Sequence, residues 1–172
     1  HILIEMADRY GVPIIEDECY SDLVWDGKRP QAMRGIAGDD RVIYVGSFSK
    51  SIAPAVRLGY IVAGWPVLSR ILPLKTDSGT GAIDQMVLAE FCEARFDDHV
   101  AALRKVLKRK LGVLTEAVSA NFGTAAEFEV PDGGIFLWIK LPDSVDTLKL
   151  FQAASKEGVS LNPGAEWSVD PA

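Results

Sequence analysis

The apolar positions of this chain change their period twice. In HILIEMADRYG, residues Ile2, Leu3, Met6 and Tyr10 fall three to four apart, which predicts a helix, and Gly11 supplies a stop. VPIIED then reads as a short β-rich apolar run and hence a buried strand, with RVIYVGS and LGYIVAG as the second and third. Helix alternating with nearly continuous apolar strands predicts a parallel or mixed sheet covered on both faces. From about Ala82 to Asn121 the pattern is different. Val100, Leu103, Leu107, Leu111, Leu114 and Val118 recur at steps of three and four, predicting one long amphipathic helix or two joined near Phe96 to Asp98. Beyond it, AEFEV and IFLWIKL read as strands flanking PDGG, whose Pro131 and paired Gly133 and Gly134 make a turn. DTLKLFQAASKEG predicts a helix with an Asp146 N-cap and a Gly158 C-cap, and VSLNPG follows as a strand. The change of pattern places a boundary in SGTG, Ser78 to Gly81.

Composition narrows the class. The 172 residues are 48% hydrophobic and 24% charged, as expected of a soluble globular chain with a real core. A net charge of −6 argues against a nucleic-acid surface, so the basic run RKVLKRK reads as the solvated face of the long helix. No apolar run approaches the about 18 residues of a membrane helix. Glu5 and Asp8 interrupt the first apolar stretch, against a signal peptide. Cys19 and Cys92 lie far apart and read as reduced thiols of a cytoplasmic protein. The chain starts inside a helical pattern and stops at SVDPA soon after a strand pattern, so a piece of a longer protein is expected.

One stretch carries chemistry. VGSFSKSIAPAVRLGY, Val45 to Tyr60, puts Lys50 at the end of an apolar strand, among serines and seven residues before Arg57. Burial favours the neutral amine of a lysine, and a neutral amine is a nucleophile that forms Schiff bases. EDECY ends the preceding strand, with Asp17 three residues before Tyr20. Ligands of open α/β sheets bind outside the carboxyl ends of the strands, so Asp17 and Lys50 are expected on one rim. Ser47, Ser49 and Arg57 would bind an anion there, since hydroxyls donate hydrogen bonds and a guanidinium grips phosphate with two. A carboxylate, a phenol, an amine and an anion clamp together meet the needs of pyridoxal 5′-phosphate. Two other patterns are weaker. SFSK fits the S-x-x-K of penicillin-recognising hydrolases, but a strand pattern precedes it and Pro54 follows. In EDE, Glu16 and Glu18 fall on one side of a strand and Asp17 on the other, which suits capping or solvated carboxylates better than a metal.

The blocks VPIIEDECYSDL, SFSKSIAPAVRLGYIVA and PDGGIFLWIKLP resemble, in order and spacing, the fold-type I aminotransferases of class I/II. Within them the chain is most similar to the branch of 2-aminoadipate-type enzymes and the aminotransferase-like domains of MocR regulators. The resemblance implies an α/β fold with a mixed, mostly parallel sheet in a three-layer large domain. Residues 1–78 would be the later part of that domain, and 79–172 the long connecting helix with a partial small α+β domain. It implies pyridoxal 5′-phosphate as cofactor, with Lys50 forming the Schiff base and moving the substrate proton. Asp17 would pair with the ring nitrogen, Tyr20 with the phenolic oxygen, and Ser47, Ser49 and Arg57 with the phosphate. It further implies amino-acid and 2-oxo-acid substrates and a homodimer with active sites at the interface. The regulator alternative would add an upstream winged helix-turn-helix domain and, through it, a nucleic-acid partner. The family also uses an upstream phosphate loop, a ring-stacking aromatic and a downstream substrate-binding arginine. After Gly134 this chain has no arginine, so weak cofactor binding and little turnover are expected of it in isolation.

Overall fold

A computed structural model describes residues 1–26, 28–38 and 41–168. Its first helix, α1 (Ile2–Tyr10), ends at Gly11 in the left-handed region, φ 63°. There Gly11 N–H donates to Asp8 O and Val12 N–H to Ala7 O, the paired bonds that close a helix when a glycine tolerates positive φ. The packed face of α1 is Ile4 and Ala7, whereas the stripe Ile2, Leu3, Met6 and Tyr10 is half or more exposed.

Three strands follow, β1 (Ile14–Asp17), β2 (Val42–Ser47) and β3 (Gly59–Val62), in the order β1-β2-β3. β1 and β2 are parallel with Ile14 opposite Val42 and Asp17 opposite Val45. β2 and β3 are antiparallel, with Tyr44 opposite Val62 and Ser47 opposite Gly59. The sheet is therefore mixed, and the α/β class read from the sequence holds. Within the described residues the cover of the sheet is uneven. β2, with a strand on either side, alternates buried Val42 and Tyr44 with half-buried neighbours. β1 and β3 are edges: Ile15 is 70% exposed, and Tyr60, Ile61 and Val62 each about 40%. An apolar run marks a strand but does not say how many neighbours cover it.

Between β1 and β2 the short helix α2 (Met33–Ala37) is capped from a distance. Glu16, 5% exposed, accepts Met33 N–H at 2.6 Å and Arg34 N–H at 3.1 Å. After β3 come α3 (Trp65–Ile71) and then α4 (Ala82–Phe122), one unbroken helix of 41 residues, about 60 Å long. No helix among the described residues is long and apolar enough to cross a membrane.

The chain divides into two compact units, His1–Gly112 with Pro131–Phe136, and Val113–Val130 with Leu137–Ala172. The first holds the sheet and the core of Ile4, Leu23, Val42, Tyr44, Leu58, Leu88 and Val100. In the second, α5 (Thr147–Lys156) starts where Asp146 accepts Leu148 N–H and Lys149 N–H, and ends before Gly158 at φ 78°. The Asp146 cap was legible in the sequence; the C-cap residue is Glu157, one before the Gly158 expected there, and Gly158 takes the positive φ that follows it. The strands expected at AEFEV, IFLWIKL and VSLNPG are absent among the described residues. A single antiparallel bridge, Glu127 with Lys140, is all that forms there. Phe136, Trp138 and Val159 are more than half exposed, so an alternating apolar pattern there does not make a ladder. Residues 169–172, which close the chain, lie outside the described residues.

Candidate active site

The topology gathers the chemistry-bearing residues at one end of the sheet. Because β1 and β2 are parallel, Asp17 and the residues after Ser47 emerge at the same end. Because β3 is antiparallel and Ser47 faces Gly59, Arg57 enters from that end too. The turn after β2 is tight: Ile52 N–H donates to Phe48 O at 2.9 Å and Ala53 N–H at 3.1 Å, while Phe48 N–H reaches across to Leu58 O at 3.2 Å. Ser51 is drawn inside, 1% exposed, and Lys50 is left exposed beside it.

Asp17 curls over its own turn. Its Oδ1 accepts Cys19 N–H at 3.2 Å and the Cys19 thiol at 2.6 Å. The hydrogen bond to Asp17 pushes the Cys19 thiol up from its ordinary range, burial and the carboxylate charge add to this, and the charge of Lys50 works against it. Asp17 and Lys50 thus act on the same sulfur. Tyr20 is pushed up too, first by burial and then by the charges of Cys19 and Asp17. Its ring meets Phe136 edge-on at 6.1 Å. Ser47 Oγ accepts Ser49 N–H at 3.2 Å, which holds the two serines in one turn. Arg57 sits at φ 51°, ψ 36°, a left-handed conformation that a side chain beyond glycine adopts at a cost, and its guanidinium touches only Pro54 O, at 3.4 Å, among the contacts described.

Flanking the rim are side chains that the sequence pattern did not single out. Arg29 bonds Tyr44 Oη and pairs with Asp22 at 3.3 Å and Glu18 at 4.0 Å. Tyr44 is raised to about 12, by burial first and by its hydrogen bond with Tyr60. Tyr60 stacks on Tyr44 and lies over Gly46, where a Cβ would come within 2.3 Å of its ring. A side chain there would have to push the Tyr60 ring aside. Two cavities open beside the EDECY turn. One, of about 340 Å³, touches Glu18, Arg29, Ser47, Phe48 and Tyr60. The other, of about 410 Å³, touches Asp17, Tyr20, Leu23, Gly134 and Phe136. Lys50, Ser49 and Arg57 line neither.

The PDGG turn is pinned to the segment after β1. Trp25 N–H donates to Asp132 O at 2.8 Å, the Trp25 indole to Pro131 O at 2.7 Å, and Gly134 N–H to Leu23 O at 2.9 Å. Gly134, at φ 83°, forms the turn. Gly133 serves close approach instead, since a Cβ there would lie 2.5 Å from Leu23 O. Among the described residues no group of His, Cys, Asp and Glu could hold a metal ion, and Glu16 of EDE is the helix cap.

The model of the family described as aminotransferase class I and II matches residues 1–172. The chain belongs to that family. Its fold agrees. The structure of LysN, the α-aminoadipate aminotransferase of Thermus thermophilus complexed with N-(5′-phosphopyridoxyl)-L-leucine, superposes with a TM-score of 0.89 at 28% identity over 95% of this chain and 43% of its own. The kynurenine aminotransferase of Pyrococcus horikoshii gives 0.86 at 30% identity, over 95% and 41%. By sequence, the HTH-type transcriptional regulator NorG of Staphylococcus aureus is 34% identical over 166 residues, 94% of this chain and 37% of that protein. The chain thus spans less than half the length of these relatives. As a class I and II aminotransferase chain it belongs to a family whose implied cofactor is pyridoxal 5′-phosphate.

Proposed function

We propose that this chain carries the lysine-bearing part of a pyridoxal 5′-phosphate site, and that the full-length protein transfers an amino group between an amino acid and a 2-oxo acid. The gathering of Asp17, Ser47, Lys50 and Arg57 at one sheet end is the observation that supports this most. The donor set fits the cofactor: an amine for its aldehyde, a carboxylate for its ring nitrogen, a phenol for its phenolic oxygen, and two hydroxyls with a guanidinium for its phosphate. When bound, the cofactor supplies an electron sink conjugated to the substrate nitrogen. Lys50 would anchor it, and its amine would take the proton from the substrate α-carbon and return it one position along. Asp17 keeps the ring nitrogen protonated, Tyr20 orients the ring, and Ser47, Ser49 and Arg57 hold the phosphate.

In this reading residues 1–78 belong to the large cofactor domain and 79–172 to the connecting helix and small domain, within a cytoplasmic homodimer. The test is the half-reaction. Full-length protein loaded with pyridoxal phosphate and given a panel of amino acids should release a 2-oxo acid in amounts equal to the sites present. No release from any member, by a protein that binds the cofactor, would count against transfer.

The NorG resemblance favours a second reading, in which the same site is the effector domain of a transcription regulator. A full-length protein of that kind would shift its affinity for its own promoter DNA when pyridoxal phosphate and an amino acid are added. An unchanged affinity would remove this reading.

A further inference from the structure

We propose that Cys19 is a positioning residue for Asp17: its thiol and its backbone N–H together hold Oδ1, leaving Oδ2 to face the ring nitrogen of the cofactor. This rests on reading the rim as a pyridoxal phosphate site. Asp17 bends back onto the residue two positions on, the turn that a carboxylate makes with its own following backbone. The backbone bond alone, at 3.2 Å, would let the carboxylate swivel. The thiol gives the same oxygen a second, weaker donor, and two donors on one oxygen restrict the orientation of the other.

The surroundings keep the thiol a donor. The charged and titratable groups acting on it are Asp17 and Lys50, with the Tyr20 phenol coupled to it in turn. Asp17 and burial outweigh Lys50, so the sulfur stays protonated at neutral pH instead of becoming a second anion beside the carboxylate. Alanine at position 19 would leave room but remove the donor.

Two measurements on the full-length protein test this. In a titration with pyridoxal phosphate followed by absorbance, Cys19→Ala should weaken binding roughly three- to tenfold, the effect of one hydrogen bond, and Cys19→Ser should restore it to within about twofold. In cofactor-free protein, the pH profile of Cys19 alkylation by iodoacetamide, resolved from Cys92 by peptide mass, should move to lower pH in Asp17→Asn, because the carboxylate that raises the thiol is gone. Unchanged affinity in Cys19→Ala, a Cys19→Ser that fails to rescue, or an unmoved alkylation profile would each overturn the proposal. Asp17→Asn and Lys50→Ala separate the two claims. If these weaken cofactor binding and Cys19→Ala does not, only the positioning role fails. If they leave it unchanged, the cofactor reading has failed and the inference with it.

Discussion

Asp17 and Val45 lie opposite each other in the parallel β1–β2 pair, so Lys50, a short turn beyond Val45, leaves the sheet at the end where Asp17 does. The register matters because strand side chains alternate. A slip of one residue would present Glu16 at the rim and turn Asp17 inward. Glu16 is fixed instead by its bonds to the first N–H groups of α2.

Glu16→Ala should therefore destabilise the fold. It would leave two half-buried amide groups of α2 without their acceptor, which costs about 1 kcal/mol. Glu16→Gln keeps one acceptor oxygen and should cost less. Urea denaturation of the two variants checks the order; equal stability of Glu16→Ala and the parent would show that the cap does not hold the register.

The two glycines of PDGG should respond differently. At Gly133 an added Cβ would lie 2.5 Å from the Leu23 carbonyl, so backbone must move and about 1–3 kcal/mol is expected to be lost. At Gly134 nothing lies within 4 Å of the added atom, and only the positive φ opposes it, at about 1 kcal/mol. Thermal unfolding should rank Gly133→Ala below Gly134→Ala.

Arg57 holds a left-handed backbone that a glycine would adopt freely. Arg57→Gly should thus keep or gain stability, within about 1 kcal/mol, while losing affinity for pyridoxal phosphate by roughly tenfold or more, as expected for a lost charged hydrogen bond. Arg57→Ala should lose affinity without the gain in stability, because alanine keeps the Cβ that opposes positive φ. Calorimetric unfolding paired with cofactor titration separates strain from binding.

Asp146 makes α5 sensitive to acid. Its carboxyl is held below the usual value of 3.8, first by the Lys149 backbone N–H and then by the Lys149 side chain. A depressed carboxylate stabilises the fold above its unfolded value and loses that contribution as the pH falls through the folded one. The protection of α5 amides, taken relative to their intrinsic exchange rate, should therefore fall below about pH 4, and Asp146→Asn, an uncharged cap, should flatten that dependence.

The sequence made some features plain and hid others for physical reasons. Gly11, Asp146 and Gly158 act through neighbours one to four residues away, so their roles as helix ends could be read directly. The rim could be read because parallel strands deliver their carboxyl ends together, which needs only strand order and direction. The capping of α2 by Glu16 could not, because the acceptor lies 17 residues from the amide it serves. The Asp17–Cys19 bond had a signal in the D-x-C spacing, yet a thiol is so weak a donor that the spacing alone points nowhere. Arg29 was invisible for a similar reason: its partners Tyr44 and Tyr60 come from strands brought under it only by folding. The apolar runs at Phe136 and Trp138 misled because alternation marks a surface to be covered, whether or not a covering layer lies against it.

The central claim is that Lys50 is the residue that takes the cofactor aldehyde. Full-length protein mixed with pyridoxal 5′-phosphate, reduced with sodium borohydride and digested should yield one phosphopyridoxyl-labelled peptide, with the label on Lys50 and lost in Lys50→Ala. A label spread over surface lysines such as Lys105 and Lys108, or none at all, would contradict the account.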